Sequence, residues 1–82
     1  MKEMRMKKLL IMLDEWFGMF SYYDDDTDST VIDGYEAECY NDIMQNEEMH
    51  LLTAATVKAV IHIAFSDWEE FVRLQHKYKA FA

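Results

Sequence analysis

The sequence predicts a small all-α protein, a bundle of about four helices. The 82 residues include no proline and only two glycines, so few residues in the chain interrupt helices. Apolar residues recur at spacings of three and four along most of the length, which is typical of helices with one buried face. A chain of this size buries roughly 60–65% of its unfolded surface, and we expect one compact domain over residues 1–82.

The first helix is predicted to run from Lys2 to about Tyr23. At 100° per residue, its apolar side chains form an arc over about half of the circumference. The centre of this arc consists of Leu9, Leu13, Trp16, Phe20 and Tyr23. An arc of this width is more than contact with a single neighbouring element requires.

The second helix is predicted to begin after Asp33, because the aspartate-rich segment before it favours turns over helix interiors. The Asp33 side chain would cap this helix, and Glu36 would complete a capping box. The helix would end at about Asn46. Its inward-facing side chains would be Tyr35, Cys39, Tyr40, Ile43 and Met44.

The third helix, predicted at residues 53–65, is apolar almost all round, with Lys58 and His62 as its polar exceptions. We expect it to be the central, most buried element. The same run also alternates and contains valine and isoleucine, which favour strands. An α+β fold is therefore the alternative, with a short strand at 30–32 paired with residues 57–63.

The fourth helix is predicted to begin at a capping box, in which Ser66 is the N-cap and Glu69 its partner. Glu69 and Arg73 have the i,i+4 spacing of a favourable ion pair. The apolar side of this helix consists of Trp68, Phe71, Val72, Leu74, Tyr78 and Phe81.

Charge is segregated along the chain, whose net charge is −8. Residues 1–8 carry +3, residues 9–57 carry −12 without any lysine or arginine, and residues 58–82 carry +1. Such segregation costs self-repulsion that interspersed charges would avoid. We therefore expect the acidic middle to form a functional surface; the alternative is that these acids only keep the protein soluble.

The strongest candidate site is a surface of acids interleaved with tyrosines. Carboxylates attract basic groups, and tyrosine is enriched among the residues that dominate binding energy at protein interfaces. The predicted partner-binding residues are Asp24, Asp25, Asp26, Asp28, Asp33, Glu36, Glu38, Asp42, Glu47 and Glu48, with Tyr22, Tyr23, Tyr35 and Tyr40. The predicted partner is the basic surface of a nucleic-acid-handling protein.

Residues 24–36 also suggest a degenerate calcium loop of the EF-hand type, which is a minor alternative. Asp24, Asp26 and Asp28 fall at loop positions 1, 3 and 5. However, position 6 is Ser29 where the motif needs glycine, and position 12 is Tyr35 where it needs a bidentate glutamate.

No enzyme is expected, and no catalytic residue, resident metal or cofactor. The three histidines are dispersed, and Cys39 lies near Glu38 and Asp42, which disfavour a reactive thiolate. Direct nucleic-acid binding is disfavoured because the central carboxylates would repel phosphates. A single cysteine and a short N-terminal apolar run predict a cytoplasmic protein without a membrane segment, in the host cell if a phage encodes it.

These features predict a non-enzymatic acidic inhibitor or modulator of a nucleic-acid-handling protein. In size, charge and lack of motifs, the chain resembles the compact acidic inhibitors that phages encode against host defence or transcription, including nucleic-acid mimics and anti-CRISPR proteins. The likeness implies a nucleic-acid mimic, and no residue pattern assigns a family. The alternative is a helical protein that associates through apolar faces, as a homodimer or a complex subunit.

Overall fold

A computed structural model of the protein describes residues 2–81, which form four α-helices and one β-hairpin. Small helical architecture is thus confirmed, with a two-stranded antiparallel sheet added to it. The elements are α1 (Lys2–Met19), β1 (Ser21–Asp24), β2 (Ser29–Ile32), α2 (Glu36–Met44), a 3-10 helix (Glu47–Leu51), α3 (Ala54–Ser66) and α4 (Trp68–Tyr78). Within residues 2–81, none of these helices is both long and apolar enough to cross a membrane.

Helix α1 is the central element of the fold. It contacts each of the other three helices and the 3-10 helix. Its buried side chains are Met6, Leu9, Leu10, Leu13, Trp16 and Phe17. Helix α3 also contacts the other three helices, but the expectation that it would be the most buried element was wrong: α3 buries one face and leaves Lys58, Ala59 and His62 exposed. Alanine has little apolar surface, so exposing it on α3 costs little.

Helix α1 ends at Met19, four residues before the predicted end, because the chain continues as a strand. The Ser21 hydroxyl donates a hydrogen bond to the Phe17 carbonyl at 2.5 Å, which satisfies an acceptor at the helix end. Tyr22 and Tyr23 then pair with Val31 and Thr30. Tyrosine, valine and threonine all favour strands, so cross-strand pairing prevails over the continuing helical period.

The predicted strand at 30–32 exists as part of β2, but its partner is β1. Residues 57–63, the predicted partner, lie in helix α3. The antiparallel register runs from Ser21 opposite Ile32 to Asp24 opposite Ser29. A hairpin is favoured because only the four residues 25–28 are needed to close it.

Helix α2 begins at Glu36, with Tyr35 as its N-cap residue and no side-chain cap, so the predicted Asp33 capping box was wrong. Gly34 lies flat against the indole of Trp16, where an added Cβ would be 2.8 Å from the ring. This contact fixes the linker between β2 and α2. Tyr35 precedes the helix and is 76% exposed, so its predicted inward orientation was also wrong.

The remaining inward-facing residues of α2 are correctly predicted: Cys39 and Ile43 are buried, and Tyr40 and Met44 pack against the core. The helix ends at Met44, because Asn46 caps the following 3-10 helix and accepts a hydrogen bond from the Glu48 amide at 2.9 Å.

Helices α3 and α4 meet at a sharp corner. The α4 cap is Asp67, which accepts from the Glu70 amide at 3.2 Å. Ser66, the predicted cap, ends α3 and donates to the His62 carbonyl at 2.6 Å. Arg73 pairs with Glu70, at i,i+3 and 2.8 Å, so the predicted pair with Glu69 was wrong.

Candidate functional site

The tip of the hairpin concentrates four carboxylates in five residues, Asp24 to Asp28. Two of them help to build the turn. Asp24 accepts a hydrogen bond from the Asp26 amide at 3.0 Å, and Asp28 has a left-handed backbone with φ of 53°. Aspartate tolerates that conformation better than most residues. Asp25 and Asp26 are exposed and contribute charge rather than turn geometry.

These hairpin carboxylates have no basic partner in the described chain. Residues 2–81 contain three ion pairs, Lys8–Glu48, His62–Glu36 and Arg73–Glu70, and none of them involves residues 21–33. Clustered unpaired carboxylates repel one another and produce a negative potential that extends into solvent. The hairpin tip is therefore a strong local attractor for cationic groups.

Tyr22 and Tyr23 flank the acidic tip but lie on opposite faces of the hairpin, because successive strand residues alternate. Tyr22 shares its face with Val31, and Tyr23 shares the other with Thr30. Both rings are more than half exposed. The two tyrosines therefore cannot contact one flat surface together, and each faces a different side of the tip.

The linker and the outer part of α2 continue the acidic surface. Asp33 is exposed, and its amide donates to the Phe20 carbonyl at 2.6 Å, which closes the base of the hairpin. Glu38 is exposed on α2. Asp42, one turn further on, accepts a hydrogen bond from the Trp16 indole at 2.9 Å, so it also anchors α2 to α1.

Two of the predicted site residues face α3 instead. Glu36 contacts the His62 imidazole at 3.0 Å, and the ammonium of Lys58 lies 5.0 Å from the centre of the Tyr40 ring. A shallow cavity of about 520 Å³ lies between α2 and α3 at this point. Because basic groups from α3 already face Glu36 and Tyr40, these two residues are distinct from the unpaired acids of the hairpin.

Glu47 and Glu48 belong to the 3-10 helix, away from the hairpin. Glu48 pairs with Lys8 at 3.1 Å, whereas the hairpin leaves α1 at Phe20. The twelve residues between Lys8 and Phe20 correspond to roughly 18 Å along a helix axis. The predicted residues thus form three groups: the hairpin with its linker, the two flanks of α2, and the 3-10 helix.

Sequence reasoning missed a groove beside the hairpin. It has a volume of about 580 Å³, and its walls come from α1, β1, β2, α3 and α4. The lining includes Asp14, Phe17, Gly18, Ile32, Phe65 and Trp68. The one local signal for this groove was Gly18, a glycine in the last turn of an otherwise helical pattern. A glycine leaves open surface where another residue would place its side chain.

Three aromatic residues and one carboxylate are among the nine residues that line the groove. The ring centroid of Phe17 lies 5.0 Å from that of Phe65 and 5.4 Å from that of Trp68. Asp14 accepts a hydrogen bond from the buried Gln75 amide at 3.0 Å. That neutral amide orients the carboxylate but leaves its charge uncompensated.

Cys39 is unsuited to nucleophilic chemistry. Burial, together with the charges of Asp42 and Glu36, raises the pKa of this thiol to about 12. The reactive thiolate is therefore scarce at neutral pH.

The calcium alternative required residues 24–36 to form a loop between two helices, but these residues form the hairpin turn, β2 and a linker. Among residues 2–81, no three His, Cys, Asp or Glu side chains converge in a group that could hold a metal ion.

Comparisons of the chain with protein-family models, with curated proteins and with solved structures give no match. Function is therefore inferred from the charges, contacts and cavities of the chain itself.

Proposed function

We propose that this protein is a non-enzymatic acidic inhibitor or modulator that binds the basic nucleic-acid-binding surface of a partner protein. The observation that supports this most is the hairpin tip, where Asp24, Asp25, Asp26 and Asp28 have no ion-pair partner within residues 2–81. By contrast, Glu36 and Glu48 are already paired. In this proposal the hairpin and its linker form the principal contact.

The mechanism is competition for lysine and arginine side chains. A surface that binds phosphates holds clustered cations, and the hairpin carboxylates would pair with them in place of the nucleic acid. Exposed ion pairs contribute only about 0–1 kcal/mol each, so charge alone gives little affinity. Tyr22, Tyr23 and Tyr35 are exposed. Because Tyr22 and Tyr23 face opposite sides of the hairpin, one of these two would add an aromatic contact to a given partner surface.

Two double variants test the proposal. Asp25→Asn with Asp26→Asn removes two exposed charges from the tip, and Glu3→Gln with Glu69→Gln removes two exposed charges elsewhere. Each pair changes the net charge from −8 to −6. Neither double variant changes a residue of any ion pair found within residues 2–81.

The measurement is capture of partners from a lysate on the immobilised protein, followed by mass spectrometry and by displacement with duplex DNA. We expect nucleic-acid-binding proteins to be captured at about 50 mM sodium chloride, lost at about 500 mM and displaced by the DNA. The tip variant should weaken this capture by roughly 3- to 10-fold, and the control variant by less than about 2-fold. Equal capture by both variants, or capture indifferent to salt, would contradict the proposal.

A second candidate is association through apolar surface, as a homodimer or a complex subunit. The observation that favours it is the exposure of large apolar side chains away from the hairpin tip: Met4, Met19, Leu51, Trp68 and Phe81. Contact of this kind would strengthen or stay constant as salt rises. Light scattering coupled to gel filtration at low and high salt separates the two, because a dimer of this kind persists in high salt.

A further inference from the structure

The groove between the hairpin and the α3–α4 corner has a composition that the acidic tip alone does not explain. Its walls are the rings of Phe17, Phe65 and Trp68, and its volume of about 580 Å³ lies within the range of roughly 300–1,000 Å³ that ligand pockets occupy. Trp68 is 46% exposed, so one aromatic residue of the groove is accessible from solvent.

A single carboxylate, that of Asp14, lies among these rings. Its orientation is fixed by the Gln75 amide at 3.0 Å, and Gln75 itself is 5% exposed. None of the three ion pairs within residues 2–81 involves Asp14. A purely apolar occupant would desolvate this charge without compensating it, and an anion would be repelled by it.

A cation would interact favourably with both the aromatic rings and the Asp14 carboxylate of the groove. Guanidinium groups stack on aromatic faces and donate hydrogen bonds to carboxylates, and tryptophan is the best aromatic partner for a cation. We therefore propose that the groove receives an arginine side chain from the basic partner, with its guanidinium against Asp14 and Trp68. This proposal rests on the proposed function, because it takes the occupant from the surface that the hairpin tip contacts.

The position of the groove fits one partner for both features. Thr30 and Ile32 of β2 form part of the groove wall. Tyr23 is paired with Thr30 and lies on that same face of the hairpin. Tyr23 therefore lies on the same side of the hairpin as the groove, next to the acidic tip, and a basic surface that meets the tip from this side would also meet the groove.

Gly18 allows the groove to be filled without changing any charge. Apart from its chain neighbours and the adjoining backbone of α1, an added Cβ at this residue would meet no atom of residues 2–81 within 4 Å, and the residue lies in the last turn of α1. Gly18→Leu would therefore place a side chain in the groove and favour the helix. Asp14→Asn removes the charge and keeps an acceptor for Gln75; its matched control is the adjacent, exposed Glu15→Gln.

The probe is a hexa-arginine peptide, with a hexa-lysine peptide for comparison, and the readout is the emission of Trp68. The chain has two tryptophans, and Trp16 is buried, so peptide-dependent emission should report on the groove; Trp68→Phe verifies this. We expect hexa-arginine to change the emission of the wild-type protein and to bind more tightly than hexa-lysine. Asp14→Asn should weaken hexa-arginine binding by about tenfold, and Glu15→Gln by less than about twofold.

The variants separate failure of the groove from failure of the proposed function. Gly18→Leu should abolish the emission change, while salt-dependent peptide binding at the tip persists. The double variant Asp25→Asn with Asp26→Asn should lose the salt-dependent binding at the tip and keep the emission change. Three outcomes would overturn the groove proposal: no emission change in the wild type, an emission change that survives Gly18→Leu, or a change that depends on protein concentration without peptide. The last would assign the groove to a second copy of the chain. Loss of salt-dependent binding in every variant and in the wild type would instead overturn the proposed function.

Discussion

The hairpin and helix α1 are consecutive in the chain and make opposite contributions to the molecule. Helix α1 buries six apolar side chains and contacts every other helix. In residues 21–32 no side chain is fully buried, and Ile32 is the one that packs against the core. Stability therefore resides in the helices, whereas the hairpin carries the exposed charge and contributes little to the core.

The largest effect should come from the helical core. Phe71 of α4 is fully buried, whereas Phe81 beyond the same helix is 54% exposed. Phe71→Ala should lower the free energy of unfolding by about 3–5 kcal/mol, because it removes a buried ring and leaves a cavity. Phe81→Ala removes the same atoms and should cost less than half as much. Urea unfolding followed by circular dichroism measures both, and similar midpoints would contradict the assignment of the core.

The two glycines should respond in opposite directions. Gly34→Ala would place a Cβ 2.8 Å from the Trp16 ring and should destabilise the protein by roughly 1–3 kcal/mol through overpacking. Gly18→Ala meets open space in a helix and should stabilise it by about 0.5–1 kcal/mol. Thermal unfolding of both variants checks this, and a stabilising Gly34→Ala would show that the linker does not press on Trp16.

Cys39 should make the core sensitive to alkali. Its pKa rises from an ordinary value of 9.0 to about 12 on folding, so the folded state retains the proton that the unfolded state releases. The resulting stability is complete below pH 9 and is lost as the pH rises towards 12. Between about pH 8.5 and about pH 10.5, wild-type protein should lose roughly 2 kcal/mol more than Cys39→Ala, which cannot titrate there. Parallel urea midpoints for the two proteins across this range would refute the shift.

The smallest effect on folding should come from the hairpin tip. Replacing Asp24, Asp25, Asp26 and Asp28 together with asparagine retains the turn acceptor at Asp24 and the tolerance of left-handed backbone at Asp28. We expect the free energy of unfolding to change by less than about 0.5 kcal/mol, and to rise at low salt as repulsion is relieved. A cooperative loss of several kcal/mol would show that the tip supports the fold after all.

Local signals in the sequence were sufficient for the C-terminal half of the fold. Helices α3 and α4 follow from their apolar spacing and a polar corner, with an error of one residue at the Asp67 cap. The hairpin could not be found in this way, because Phe20 and Tyr23 continue the apolar arc of α1. The structure of residues 21–24 is decided by their pairing with residues 29–32. Counting the apolar period along one segment does not detect such pairing.

The candidate site was predictable in its charge but not in its contacts. The acids of the hairpin are visible in the sequence, whereas the partners of Glu48 and Glu36 lie 40 and 26 residues away along the chain. The groove was likewise invisible, because its walls come from five elements that meet only in the folded state. Which charged side chains pair, and where a cavity forms, both depend on the tertiary structure.

Trp16 has a further consequence for how the chain can be rearranged. Its indole contacts Gly34 and donates a hydrogen bond to Asp42, so one side chain holds the segment that follows the hairpin. The two strands meet at their base, where the Asp33 amide donates a hydrogen bond to the Phe20 carbonyl. We expect foreign sequence spliced into the turn at 25–28 to leave these contacts unchanged, because none of them involves a residue of the turn.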